Sequence, residues 1–252
     1  MSSALQNPHL EGDSFIWPAG PIGILLFHGF GATTAEVRPL ARSLHENSYT
    51  VSGPLLPGHG RTPEVANRTH WQNWISVGES ALVELQSACR TVLVGGESMG
   101  ALIALYLAAA HTELAGVMLY APAVRFKSAR VSLLAPLLAP FKHSIAKPHS
   151  APSPADALWQ GYQVYPLHAL LELLALQRQV RRRLPQVRQP LFIAMGRDDQ
   201  SVHPSTPNLI ASRANAPWLV IHWYERSGHC VILDCQWPEI ARDTIKFVKQ
   251  LI

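Results

Sequence analysis

Residues 91–110, TVLVGGESMGALIALYLAAA, constrain the chain more than any other stretch. Thr91, Val92, Leu93 and Val94 read as a short buried strand, because β-branched and apolar side chains suit a pleated surface covered on both faces. From Ala101 onward the run is apolar and poor in turn residues, which reads as a buried helix. Between the two lies Gly96-Glu97-Ser98-Met99-Gly100, a G-x-S-x-G. A serine on so sharp a strand-to-helix turn sits in a strained conformation, and only glycine two residues to either side leaves room for it. The turn lifts the Ser98 hydroxyl clear of the sheet, and the positive end of the following helix faces any oxyanion that develops there.

The rest of the chain predicts a sheet around this turn. Ile22–Phe27 (IGILLF) is a continuous apolar run, the mark of a strand buried on both faces of a mostly parallel sheet. The loop His28-Gly29-Phe30-Gly31 follows it, then a helix over 36–45, a strand over 50–56 and the turn Pro57-Gly58-His59-Gly60. Apolar residues at helical spacing predict a helix over 71–88, and 116–120 reads as a strand. After a long interruption the rhythm resumes with a strand over 190–195, a helix over 205–214, a strand over 218–224 and a helix over 239–251. Such alternation calls for an open, largely parallel sheet with helices on both faces and a site at the carboxyl ends of the strands.

The interruption, residues 122–189, holds short apolar runs (Leu133-Leu134, Leu137-Leu138, Phe141) and one predicted helix over 165–183. An insertion of this size in an α/β chain reads as a cap over a core made of 1–121 and 190–252. It is also basic. Between Pro122 and Pro190 ten Lys/Arg face two Asp/Glu, although the whole chain carries only +4. The run Arg178, Arg181, Arg182, Arg183 and Arg188 suits a solvated helix face, an anionic lipid surface or an anionic substrate. Nucleic acid is a poor fit, because no aromatics interleave these arginines and no binding motif accompanies them. The apolar residues of the cap, with Trp159, Tyr162 and 170–176, suit either an acyl pocket or burial against the core.

Two further loops carry chemistry. Gly196-Arg197-Asp198-Asp199 follows one predicted strand, and Ser227-Gly228-His229 follows another. A serine hydroxyl needs a base within hydrogen-bond reach, and that base needs an orienting carboxylate. Ser98, an aspartate and His229 all fall after strands. His28 and His59 suit structural anchoring of their loops, Glu97 is expected to point away from the nucleophile, and Cys230 reads as buried filler. His143, His149, His168 and His203 lack metal-ligand spacing, so neither metal nor cofactor is expected. Cys89, Cys230 and Cys235 form no disulfide framework, the N-terminus resembles no secretion signal, and no apolar run reaches the roughly 18 residues of a membrane span. A cytoplasmic location is expected from these.

The pieces LLFHGFGATTAEVRPLARSL, GPLLPGHG, GGESMG, Asp199–Pro204 and WYERSGHCVILD together resemble the α/β-hydrolase superfamily, and within it the bacterial carboxylesterases and monoacylglycerol lipases of similar length. The order Ser…Asp…His is that superfamily's. The resemblance implies Ser98 as nucleophile, His229 as base, and an oxyanion hole made by the backbone amides of Phe30 and Met99. The family's spacing fits Gly196, Asp199 and Val202, which makes Asp199 the orienting acid and leaves Asp198 facing solvent or paired with Arg197. The activity implied is hydrolysis of small carboxylic esters with an apolar acyl chain, through an acyl-enzyme. A thioesterase or C–C bond hydrolase would use the same three residues, and a binding module on this scaffold is the alternative outside catalysis.

Overall fold

A computed structural model of the chain describes residues 5–147 and 153–252. Its centre is a seven-stranded sheet: β1 (Phe15–Trp17), β2 (Ile22–Phe27), β3 (Thr50–Gly53), β4 (Thr91–Glu97), β5 (Val117–Tyr120), β6 (Leu191–Gly196) and β7 (Leu219–Tyr224). The spatial order is β7-β6-β5-β4-β2-β3-β1. All neighbours are parallel except β1, which pairs antiparallel with β3 at the edge.

Alternation along each central strand divides the core in two. Leu25, Phe27, Val92, Val94, Val117, Leu119, Leu191, Ile193 and Met195 face one side. There they meet α2 (Trp71–Ala88), α3 (Met99–Ala110) and α5 (Leu167–Arg183). Ile24, Leu26, Leu93, Met118, Tyr120, Phe192 and Ala194 face the other side, against α1 (Arg38–Glu46) and α6 (Trp237–Lys249). Both faces are covered, which is why the strand sequences read as unbroken apolar runs.

Boundaries differ from the sequence reading where proline or a local turn intervenes. The strand expected over 50–56 stops at Gly53, because Pro54 has no N–H to donate to a ladder. The helix expected from residue 36 starts at Arg38, after a 3₁₀ turn Thr34–Glu36 that Thr33 caps through its hydroxyl. The helix expected from residue 165 starts at Leu167, because Val164–Pro166 pairs as a strand with Ser144–Ala146. The last helix begins earlier, at Trp237, with Pro238 in its first turn. Edge strand β1, three residues long, has no periodic signal of its own. In the insertion, Leu133-Leu134 and Leu137-Leu138 belong to one helix, α4 (Ala129–Leu138), and α5 packs its buried leucines onto α3.

The turn at Ser98 is built as the sequence requires. Ser98 has φ 55° and ψ −105°, in the region that non-glycine residues avoid. A Cβ on Gly100 would lie 2.1 Å from the Phe27 carbonyl oxygen, and one on Gly96 would lie 2.4 Å from the Gly100 carbonyl carbon. Ser98 N–H donates to Tyr120 O at 2.8 Å and Ser98 O accepts from Ala123 N–H at 3.2 Å. We expect Gly100→Ala to destabilise the fold by about 3 kcal/mol, as overpacking against backbone does. Urea unfolding checks it, with Val83→Ala on the exposed face of α2 expected to stay within about 0.5 kcal/mol of wild type.

Candidate active site

Three loops at the carboxyl edge of the sheet bring their side chains together. Ser98 follows β4, Asp199 follows β6 and His229 follows β7. His229 Nε2 stands 3.0 Å from Ser98 Oγ, and His229 Nδ1 stands 2.9 Å from Asp199 Oδ2. The other oxygen of Asp199 accepts from the amides of Ser201 at 2.7 Å and Val202 at 2.9 Å. A carboxylate so held cannot rotate away from the imidazole, and it fixes the proton on Nδ1 so that Nε2 faces the hydroxyl as an acceptor. Burial by itself would lower the His229 pKa, but the charge and hydrogen bond of Asp199, with the charge of Glu36, outweigh it and raise the pKa. Asp199 shows the converse. Burial would raise its pKa, yet His229 and the two amides hold it below the usual carboxylate value.

Asp198 is exposed, and its backbone amide donates to Ser227 O at 3.1 Å. Of the two settings expected for Asp198, facing solvent is the one found, without a pairing to Arg197. Arg197 Nε instead reaches Glu225 at 3.0 Å, with the guanidinium stacked 4.4 Å above the Trp223 ring centre. Val202 is fully buried beneath the loop.

The amides of Phe30 and Met99 donate to no protein acceptor among the described residues. Met99 is the first residue of α3, where an N–H has no intrahelical partner. Phe30 lies in the loop beside it, since a Cβ on Gly29 would be 3.5 Å from Ser98 Cβ. His28 braces that loop: Nδ1 contacts Gly29 O at 2.9 Å and Nε2 accepts from Leu56 N–H at 3.1 Å. Burial, then the neighbouring His59, lowers the His28 pKa to about 3, which keeps it neutral. His59 contacts Pro57 O through Nδ1 at 3.2 Å, and burial lowers its pKa to about 4.

Several contributors gave no sequence signal. Asp234 accepts from Gly228 N–H at 2.7 Å and Gln236 from Arg226 N–H at 2.7 Å, so a short turn downstream holds the His229 loop. Glu36 is buried and accepts from Gly29 N–H and, at 3.1 Å, from the Trp159 indole. Burial raises its pKa. Cys230 is only half buried, not the buried filler expected, and its Sγ is 4.0 Å from Glu36 Oε1. In the insertion, Leu170, Leu173, Leu174 and Leu176 are taken up in packing, while Tyr162 is buried and donates to Gly58 O at 2.6 Å. Two of the five arginines of the basic run are engaged: Arg181 Nε donates to Val124 O at 2.6 Å, and Arg183 lies 4.4 Å above the Tyr106 ring. Of the histidines without metal-ligand spacing, His149 lies outside the described residues.

The family described as Hydrolase_4, serine aminopeptidase S33, matches residues 22–236. The chain belongs to that family. Within it, the chain is similar to a thermostable monoacylglycerol lipase of Bacillus sp. (strain H-257), 30% identical over 244 residues and covering 96% of each chain. It is also similar to a carboxylesterase of Bacillus subtilis (strain 168), 26% identical over 94% of this chain and 96% of that one. Among solved structures, one from the metagenome-derived lipolytic enzymes LipS and LipT superposes with a TM-score of 0.88 at 26% identity, over 96% of this chain and 99% of the other. This S33-family chain is therefore an α/β-hydrolase and a serine ester hydrolase of the carboxylesterase and lipase group. No helix among the described residues is long and apolar enough to cross a membrane.

Glu97 has an environment unlike the other acids of the site. It is buried and neither oxygen has a hydrogen-bond partner. Burial first, then the charges of Glu36 and Asp199, raise its pKa well above normal. The folded state therefore holds this proton after the unfolded chain has released it. Its contribution to stability is present at acidic pH and declines as pH rises from about 4.3 towards the folded value. Glu97→Gln removes that titration. We expect the Tm difference, variant minus wild type, to grow from pH 5 to pH 9, and a difference independent of pH would contradict this account.

Proposed function

We propose that Ser98, His229 and Asp199 form a catalytic triad that cleaves carboxylic esters of the monoacylglycerol and short-chain type through an acyl-enzyme. The observation that carries the reading is His229 bridging Ser98 at 3.0 Å and Asp199 at 2.9 Å beside two unfilled amides. Ser98 Oγ attacks the ester carbonyl while His229 takes its proton. The amides of Phe30 and Met99 hold the oxyanion, which in a dry site is worth several kcal/mol at the transition state. His229 passes the proton to the leaving alcohol, then activates a water that releases the acid. The Asp199 charge, which raises the imidazole pKa, makes His229 a stronger base and stabilises the imidazolium formed midway.

Ser98→Ala should abolish labelling by a fluorophosphonate and lower kcat on p-nitrophenyl esters by roughly 10⁴-fold or more. Asp199→Asn should lower kcat by about 10⁴ through the wrong histidine tautomer, and Asp198→Asn by less than about tenfold. The reverse order for the two aspartates would move the orienting role to Asp198.

The same reading takes 122–189 as a cap that meets a lipid surface bearing the substrate. It is supported by Leu133, Leu137 and Phe141, which are 66%, 67% and 86% exposed, too much apolar area for a helix face meant for water alone. Arg130 and Lys142 flank them, both exposed. Co-sedimentation with phosphatidylglycerol vesicles should fall as salt rises from about 0.05 to 0.5 M, where screening takes hold. The double variant Leu137→Ser, Phe141→Ser should bind less at every salt concentration. Vesicle binding unaffected by both changes would remove the membrane role.

A further inference from the structure

Where the chain leaves β5 for the insertion, a cavity of about 370 Å³ opens between the start of α4, the helix α5 and the loop that follows Asp199. Arg125, Lys127, Arg181 and His203 line it, and Phe126 and Leu133 supply apolar wall. No Asp or Glu lines it. Arg125 and Lys127 are exposed at its mouth, while Arg181 and His203 are half buried. None of Arg125, Lys127, Arg181 and Arg213 forms a salt bridge among the described residues. Burial first, then the charges of Arg125 and Arg213, push the Arg181 guanidinium below its usual pKa. Like charges gathered in one cavity repel each other, and no side chain of the protein offsets them there.

The cations are held in place by neutral groups, which leaves their charge and several donors unspent. Arg181 Nε donates to Val124 O at 2.6 Å, and neither of its terminal nitrogens has a protein acceptor among the described residues. Arg125 Nη1 donates to Ser205 Oγ at 3.2 Å, and Lys127 Nζ to Gln200 Oε1 at 2.8 Å and Asp199 O at 3.2 Å. His203 Nδ1 accepts from Ser205 N–H at 3.1 Å, which puts the ring proton on Nε2 as a further donor. The backbone behind them is equally fixed. Lys127 N–H donates to Ser201 O and His203 N–H to Arg125 O, each at 2.8 Å, on either side of a bridge between Phe126 and Val202. Ser128 caps α4 at the edge of the cavity, so the positive end of that helix lies there too.

We propose that this cavity is a binding site for a phosphate group, separate from the triad. A doubly charged, tetrahedral anion matches converging guanidinium forks and an ammonium better than a single carboxylate does. Because the cations are already held, little ordering cost remains on binding. Phe126 and Leu133 leave room beside the phosphate for the apolar part of a phosphomonoester. The phosphate arrives free in solution or on a lipid headgroup, and the test separates these sources.

Titration calorimetry with inorganic phosphate, at ionic strength held constant with chloride, reads the site without turnover. One phosphate per chain should bind with a Kd below about 1 mM. Arg125→Gln and Arg181→Gln should each weaken it by about tenfold or more, as loss of a charge-assisted hydrogen bond does. Arg182→Gln, an exposed neighbour that does not line the cavity, removes the same charge and should stay within about twofold. Arg181 also braces the Val124 carbonyl, so Tm is recorded for each variant and Arg125→Gln decides if Arg181→Gln unfolds. Phosphatidylcholine vesicles doped with phosphatidic acid or, at equal charge, phosphatidylserine then identify the source. A preference for phosphatidic acid that Arg125→Gln removes supports a lipid headgroup, whereas calorimetric binding without that preference supports a soluble phosphate. Absence of both saturable phosphate binding and the vesicle preference overturns the proposal. So does binding that Arg125→Gln leaves intact, or that Arg182→Gln weakens as much. An inactive Ser98 site with phosphate binding retained would count against the ester-hydrolase reading alone.

Discussion

The active site depends on a backbone contact that has no side chain in it. α3 approaches β2 so closely that a single methyl at Gly100 would strike the Phe27 carbonyl. That closeness is what forces residue 98 into positive φ at the end of β4. It also sets the first amide of α3 beside the loop that leaves β2, because Phe27 is followed directly by His28, Gly29 and Phe30. One steric fact thus aligns a strained serine and two unfilled N–H groups. The strain is stored where the surrounding fold over-determines it: the hydrogen bonds from Ser98 N–H to β5 and from Ala123 to Ser98 O leave the turn no alternative.

Electrostatics divide the site into a paired centre and a layer of buried acids behind it. Asp199 and His229 neutralise each other when the imidazole is protonated, and two amides hold the aspartate. Behind them, Glu36 and Glu97 are acids whose burial favours their protonated forms. Asp199, hydrogen-bonded to the imidazole, is the larger influence raising the His229 pKa, and Glu36 adds to it. Lys147 contrasts with them, a half-exposed cation whose ammonium lies over the rings of Trp159 and Tyr165.

The core was legible in the sequence because it obeys local rules. Strands covered on both faces must be apolar, and β2 and β6 are throughout, as is β4 up to Glu97 at its end; a strand-to-helix turn of this sharpness must carry glycines, and residues 96 and 100 do. Asp199 rather than Asp198 is the aspartate beside His229, in line with the spacing to Gly196 and Val202. The residues that support the site were not legible, for a physical reason. Glu36 precedes α1 in what reads as an ordinary loop-to-helix junction, and Asp234 and Gln236 sit in a turn with no periodicity. Their partners, Gly29, Gly228 and Arg226, are chosen by tertiary geometry that no spacing encodes.

The insertion shows the same limit more sharply. Its leucines at 170–176 fit either a pocket or a core, and only the packing of α5 on α3 decides for the core. Its arginines fit a solvated face or a ligand, and two of them turn out to hold the protein's own carbonyl and ring. Lys147, too, is marked by no run or motif, yet its ammonium lies over the Trp159 and Tyr165 rings. What places it there is the antiparallel pairing of Ser144–Ala146 with Val164–Pro166, segments some twenty residues apart in sequence. Local pattern thus specifies the sheet and its serine turn, where neighbours in sequence are neighbours in space. What lies beside that turn is set by crossings of segments distant in sequence, which no local pattern records.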